Sequence, residues 1–258
     1  REARKNGINV HADRYPYTSS CTDLDILLPD WATDGGREKI MTRLSNNAER
    51  TKIKNDMIKA RSDDYWQCVT IGSTLHPDNA EYKGMPLTDV ASDLKTHPAE
   101  AVLQLIEKDR LNTSAFFSGM SEDNLIRILQ EPYVMIGTDA SLRAPSGPLS
   151  SDHPHPRAYG TFPTFFRMVM DRKLMKIEEA VRKMTGLPAE HFEIKNRGVI
   201  AENIKADITV IDPANFSCPS DYANPHQLAK GVNYVIVNGT LTLADGKLTQ
   251  NRSGEFLA

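Results

Sequence analysis

The stretch Tyr133-Val134-Met135-Ile136-Gly137-Thr138-Asp139 decides the reading of this chain. Four apolar side chains stand in a row and an acid closes the run. A near-continuous apolar run of this length predicts a strand buried on both faces, as in parallel sheets covered by helices. In such sheets the carboxyl ends of the strands face the active site, so Asp139 becomes the first candidate for chemistry. An Asp at that place also closes turns or caps the next element, and position alone leaves both readings open.

Working outward, the flanks repeat the pattern. Ala99–Lys108 predicts a helix with Val102, Leu103, Leu105 and Ile106 on one side, followed by a strand at Ser114–Ser118 and a helix capped by Ser121 and running to Leu129. Helices are also expected around Thr164–Met170 and Ile177–Met184. The alternation predicts βα units of an α/β fold. Ile8-Asn9-Val10-His11-Ala12-Asp13 predicts a further strand. Residues 24–94 interrupt the regular pattern, with a charged helical stretch at Arg37–Arg61 and a short strand at Cys68–Gly72. From Arg197 the tail changes character: strands are expected at 198–200, 206–212, 232–237 and 240–243, with Asn238-Gly239 and Asp245-Gly246 as hairpin turns.

The 258 residues carry 31 Lys+Arg against 34 Asp+Glu, a net charge of −3, which argues against nucleic-acid and anionic-membrane partners. No run approaches the ~18 apolar residues of a membrane span. Three cysteines without Cys-x-x-Cys spacing make neither a disulfide framework nor a structural zinc site. The first residues, Arg1 to Gly7, read as the last turn of a helix and its stop, so we expect a chain that continues upstream. A cytoplasmic protein is expected, with export left open by the unseen start. Other candidate residues are the Pro-stiffened run His153-Pro154-His155-Pro156-Arg157, whose Arg157 suits a two-pronged carboxylate clamp, and Asp13-Arg14-Tyr15-Pro16-Tyr17 at a strand end. His11, His76, His97, His191 and His226 are scattered and read as structural or exposed.

Taken in order, several motifs form one series. They are Asp-x-Tyr-Pro-Tyr at 13–17, Phe-Phe-Ser-Gly-Met-Ser-Glu at 116–122, Gly-Thr-Asp-Ala at 137–140, His-Pro-Arg-x-Tyr-Gly at 155–160, Arg-Gly-Val-Ile at 197–200, Ala-Asp-Ile-Thr-Val-Ile-Asp-Pro at 206–213 and Val-Asn-Gly at 237–239. The series resembles the D-aminoacylases (N-acyl-D-amino-acid deacylases) of the amidohydrolase superfamily, over essentially the whole chain. The resemblance implies a metal-dependent (β/α)8 TIM-like barrel with a small β-sandwich. Residues 1–196 would be the C-terminal part of the barrel, with 24–94 as an active-site insertion, and 197–258 the C-terminal share of the sandwich. Three barrel strands are expected, at 8–13, 114–118 and 133–138.

By the same resemblance Asp139 is the catalytic acid that carries a proton to the leaving amine, and a weak candidate for metal. Arg157 holds the substrate α-carboxylate and Tyr15 orients that end. Phe117 and Met120 line the pocket for the D-side chain. Cys21 falls near a family Ser, and Phe117 stands where the family often has Tyr. The implied substrate is a small N-acyl-D-amino acid, in a bacterial-type zinc hydrolase of linear amide bonds. The family's remaining zinc ligands lie upstream of this chain, so the 258 residues alone are expected to be inactive and to bind no catalytic zinc. The alternatives are another amidohydrolase, such as a dipeptidase or cyclic amidase, and a non-catalytic binding or assembly module. An open half barrel would expose strand edges and invite self-association.

Overall fold

The computed structural model describes residues 1–257. In chain order the elements are α1 (Glu2–Lys5), β1 (Ala12–Arg14), β2 (Ser19–Asp23), α2 (Asp30–Thr33), α3 (Gly36–Ser45), α4 (Asn47–Lys59), β3 (Val69–Ile71), α5 (Leu87–Asp93), α6 (Pro98–Lys108) and β4 (Ser114–Ser118). They continue with α7 (Glu122–Leu129), β5 (Val134–Ile136), α8 (Arg157–Arg172), α9 (Ile177–Met184), α10 (Gly186–His191), β6 (Ile208–Ile211), β7 (Val232–Val237), β8 (Thr240–Ala244) and β9 (Lys247–Leu248).

The α/β character is present, but the strands are distributed differently from the sequence expectation. β1 pairs directly with β5, in parallel, with Ala12 opposite Val134 and Arg14 opposite Ile136. The strand expected at 8–13 is shorter and later, because Ile8 and Val10 are exposed and unpaired. Ser114–Ser118 is not a third member of that parallel sheet. It is the centre of a separate antiparallel sheet in the order β2-β4-β3. Alternation of side chains explains this: Ala115 and Phe117 face the apolar interior built by residues 24–111, while Phe116 faces the other way.

That interior is the larger of two cores. It joins Leu24, Leu27, Ile40, Leu44, Ile53, Met57, Trp66 and Leu87 with one face of α6. α6 and β4 pack into the same apolar body as residues 24–94. α6 forms where expected because Pro98 sits at its first position, the His97 ring accepts from the Ala99 N–H, and Val102, Leu103, Leu105 and Ile106 fall on one buried side. Each such side chain contributes about 1.5–3 kcal/mol on burial. Buried Asp109 ties this body to its long loop, accepting from His76 N, Asn79 Nδ2 and Thr113 Oγ1 at 2.6–2.9 Å.

The second core lies between β5 and helices α7, α8 and α9, through Leu125, Leu129, Ile136, Phe165, Val169 and Ala180. α7 begins at the expected cap, with Ser121 Oγ accepting from Asn124 N. α8 is longer than expected. It starts at Arg157 and runs through Pro163, which has no N–H to donate but leaves the helix intact. Thr161 Oγ1, donating 2.7 Å to Arg157 O, helps fix this first turn. Lys183 of α9 is fully buried and donates to Glu131 O and, at 2.7 Å, to Val134 O, pinning α9 under β5. Burial pushes this amine down to about 8, against the residual pull of Glu179.

The tail sheet runs β6-β7-β8-β9, all antiparallel. Asn238-Gly239 and Asp245-Gly246 have positive φ at both residues, as two-residue hairpin turns of the mirror-image type require. The strand expected at 198–200 is absent. Gly198, with φ +85, turns the chain against Thr185 and Ala189, and leaves Val199 and Ile200 exposed.

Gly160 serves a different end. A side-chain carbon placed there would collide with the Tyr17 hydroxyl, which lies 3.1 Å from Thr164 Oγ1. The Gly of His-Pro-Arg-x-Tyr-Gly thus leaves room for the second Tyr of Tyr-Pro-Tyr, joining two of the quoted motifs by contact. Burial pushes Tyr17 up to about 12, so it stays a neutral hydroxyl.

Two outcomes are expected. Gly160→Ala destabilises the fold by about 1–3 kcal/mol, and Tyr17→Phe in the same chain recovers part of the loss; thermal unfolding of the single and double variants measures the coupling. For Lys183, the folded amine holds its proton less tightly than the unfolded one, whose ordinary value is 10.5. The unfolded chain binds more protons between about pH 8 and 10.5, so stability rises with pH across that window by about 1–3 kcal/mol. Urea unfolding at pH 8 and pH 10 shows this rise, and Lys183→Met removes it.

Candidate active site

The apolar run of β5 delivers Asp139 three residues past the strand end, in a left-handed backbone conformation (φ 47°). A non-glycine residue held there marks a place where the chain is positioned rather than relaxed. The Asp139 Oδ2 atom lies 2.9 Å from Arg157 Nη2. The pair is unequal: the Arg157 side chain is 9% exposed and that of Asp139 64%. The guanidinium is fixed, and the carboxylate reaches it from the open side.

Arg157 is held at its side chain and at its backbone. Its guanidinium lies over the Tyr15 ring, 4.6 Å from the centroid. Its backbone N–H donates 3.0 Å to His155 Nδ1. His155 Nε2–H in turn donates 3.2 Å to Ser19 O of β2. The two bonds specify the tautomer: Nδ1 accepts and Nε2 carries the proton. Burial, and then the neighbouring charge of Arg157, push this imidazole down to about 3. His155 is therefore a neutral strut at ordinary pH, packed edge-on against Tyr17, Phe116 and Tyr222 at centroid distances of 5.0–5.4 Å.

Of the residues singled out in the sequence, the fold brings Asp139, Arg157 and Tyr15 into one cluster. Met120 stands at its edge, with Sδ 3.0 Å from Arg14 Nη2, while Arg14 itself lies 4.1 Å over the same Tyr15 ring. Phe117 is placed otherwise. It packs against the larger core, and its neighbour Phe116 faces His155, 5.4 Å between centroids. Cys21 pairs with Phe116 across β2 and β4, within the fields of Arg157 and Asp139; burial pushes its thiol up, so it stays protonated.

Some contributors escaped the sequence reading. Tyr222, in the irregular segment before β7, lays its ring against His155 and Phe116, its hydroxyl 3.3 Å from His155 Nε2. Its carbonyl accepts from His153 Nε2 at 2.7 Å. His226, read as scattered, donates through Nε2 to Asp152 O and accepts at Nδ1 from the Tyr159 hydroxyl. Their one signal is a Pro-studded polar stretch, Cys-Pro-Ser-Asp-Tyr-Ala-Asn-Pro-His at 218–226, too generic to single out two rings.

A carboxylate beside a fixed guanidinium suits anion recognition and proton transfer. It does not make a metal site by itself. Among the described residues no group of three or more His, Cys, Asp or Glu side chains converges as a metal would need, and Asp139 Oδ2 is engaged by Arg157. No helix among the described residues is long and apolar enough to cross a membrane.

Comparison with known proteins identifies the family of the chain. The Amidohydrolase family pattern matches residues 40–242. The chain is 30% identical over 179 residues to an N-acyl-D-aspartate deacylase of Alcaligenes xylosoxydans xylosoxydans, covering 69% of this chain and 34% of that protein. It is 29% identical over 238 residues to an N-acyl-D-glutamate deacylase of the same organism, covering 92% of this chain and 39% of the relative. Among solved structures, a D-aminoacylase superposes with a TM-score of 0.70 at 26% identity, over 99% of this chain and 44% of that one. The N-acyl-D-glutamate deacylase of Bordetella bronchiseptica, complexed with zinc and a phosphonate inhibitor that mimics the tetrahedral intermediate, superposes with a TM-score of 0.68 at 28% identity, over 98% and 44%. The chain thus spans well under half the length of the relatives it matches. With the family pattern covering most of its residues, the chain belongs to the amidohydrolase family.

Proposed function

We propose that this chain supplies the substrate-anchoring side of a zinc-dependent N-acyl-D-amino-acid deacylase, which hydrolyses the amide to a carboxylate and a D-amino acid. The observation that carries the reading is the Arg157–Asp139 pair at 2.9 Å, set on the Tyr15 ring at the end of a buried strand. The deacylases among its relatives support the same chemistry.

Arg157, buried and always charged, grips the α-carboxylate of the substrate with two parallel N–H donors. Tyr15 stacks beneath it and limits its swing. An incoming carboxylate competes with Asp139 for the guanidinium and releases Asp139 Oδ2. The freed carboxylate then takes a proton from the attacking water and hands it to the leaving nitrogen, the two proton transfers of general base and general acid. In this reading β1 and β5 are neighbouring strands of a (β/α)8 barrel, residues 24–94 belong to an active-site insertion, and 197–258 form part of a β-sandwich. Zinc, if bound by further residues of a longer chain, would supply Lewis-acid polarisation of the amide carbonyl. One carboxylate is too few donors to hold that ion, so the 258 residues alone are inactive and carry no catalytic zinc.

A cyclic amidase is the nearest other reading. Its substrates lack the free carboxylate that Arg157 is placed to clamp, whereas N-acyl amino acids carry it. A non-catalytic assembly module would give no reason to bury Arg157 against an exposed Asp.

In the full-length gene product, Arg157→Ala is expected to raise KM about 10–100-fold, the worth of a charged hydrogen-bonded pair, with a smaller change in kcat. Asp139→Asn is expected to lower kcat about 10²–10⁴-fold. Unchanged kinetics in either variant sinks the assignment. Elemental analysis of the purified 258-residue chain is expected to show no stoichiometric zinc; zinc together with turnover of N-acetyl-D-methionine would overturn that part.

A further inference from the structure

Three guanidiniums gather at the site, and two of them are answered. Arg143 Nη2 is paired with Asp152 Oδ2 at 2.6 Å. Arg157 is paired with Asp139. Arg14 is not: among the described residues no carboxylate pairs with it. Its Nη2 meets only neutral acceptors, Tyr17 O at 2.9 Å and Met120 Sδ at 3.0 Å. The adjacent Asp13 lies on the other side of β1, its carboxylate against Gly137. A half-buried cation left with a carbonyl and a thioether holds donor capacity and charge in reserve.

The place of that charge is informative. Arg14 and Arg157 share one platform, lying 4.1 Å and 4.6 Å from the Tyr15 centroid. Their guanidinium carbons can stand no further apart than those two lengths end to end. Two carboxylates separated by a short carbon chain can reach both cations at once, each in a charge-assisted pair.

We propose, on the basis of the deacylase reading above, that Arg14 is a specificity-determining residue and that the preferred substrates carry an acidic D-side chain, as in N-acyl-D-aspartate or N-acyl-D-glutamate. Arg157 takes the α-carboxylate and Arg14 the side-chain carboxylate, with the Tyr15 ring fixing the distance between them. A neutral side chain leaves Arg14 desolvated and unpaired, which disfavours it.

N-Acetyl-D-glutamate and N-acetyl-D-glutamine test this, being nearly isosteric and differing in charge. With the full-length enzyme, kcat/KM is expected to favour the glutamate compound at least tenfold. Arg14→Met is expected to bring that ratio close to one, and Arg14→Lys to restore part of it. A wild-type ratio near one, or an Arg14→Met variant that loses both substrates equally, assigns Arg14 to packing and overturns the proposal. Calorimetric titration of the same two compounds reads the ratio without turnover. Turnover of N-acetyl-D-methionine with no preference for the acidic compound leaves the deacylase reading standing and removes only this proposal. Neither turnover nor binding of any N-acyl-D-amino acid removes both.

Discussion

The buried imidazole of His155 is the joint on which the site depends. One nitrogen accepts from the first residue of α8 and the other donates to β2. A charged imidazole could not make the first bond, because both nitrogens would then be donors. Burial keeps the ring neutral, and the neutral ring fixes the turn that launches α8. Arg157 is the first residue of that helix, so the direction of its guanidinium follows from a hydrogen bond made by its own backbone. The prolines at 154 and 156 restrict the same turn before any contact is made.

Three distant parts of the chain converge on this joint. β2 contributes the backbone of Ser19, β4 contributes Phe116, and the tail contributes Tyr222. Ser73, in the loop after β3, exchanges hydrogen bonds with the backbone of His153. Gly84 brings another part of that loop against Tyr222 O and His153, where a side chain would not fit. The positive charge of the site is therefore set inside a cage of neutral rings and backbone carbonyls. Such surroundings cannot move to screen it, and they favour a negatively charged ligand over water.

Much of this was legible along the chain where local rules act alone. The strand before Asp139, the capped helix at 122–129, α6, and both hairpin turns follow from apolar spacing, caps and Asn-Gly or Asp-Gly chemistry, and each forms within a few residues of expectation. Pairing partners were not legible. Ser114–Ser118 reads as one more buried strand, because its apolar core residues serve a parallel or an antiparallel neighbour equally well. The side on which Phe116 and Phe117 fall depends on register, which no local pattern states. Asp139 and Tyr15 were within reach because each follows a recognisable strand, and Arg157 because it closes the Pro-stiffened run 153–157. Tyr222 was not, since its segment has neither strand nor helix to give it direction. Pro163 shows the converse case: a residue that ordinarily ends a helix is carried by the packing of Phe165, Phe166 and Val169 around it.

The antiparallel ladder of β2 and β4 runs over five residue pairs, from Ser19 opposite Ser118 to Asp23 opposite Ser114. One end of it carries the His155 contact and the other enters the larger core. The ladder thereby couples Ser19, which carries the His155 bond, to the larger core. Separating β2 from β4 would break that ladder and expose Ala115 and Phe117, an opening on the scale of local unfolding.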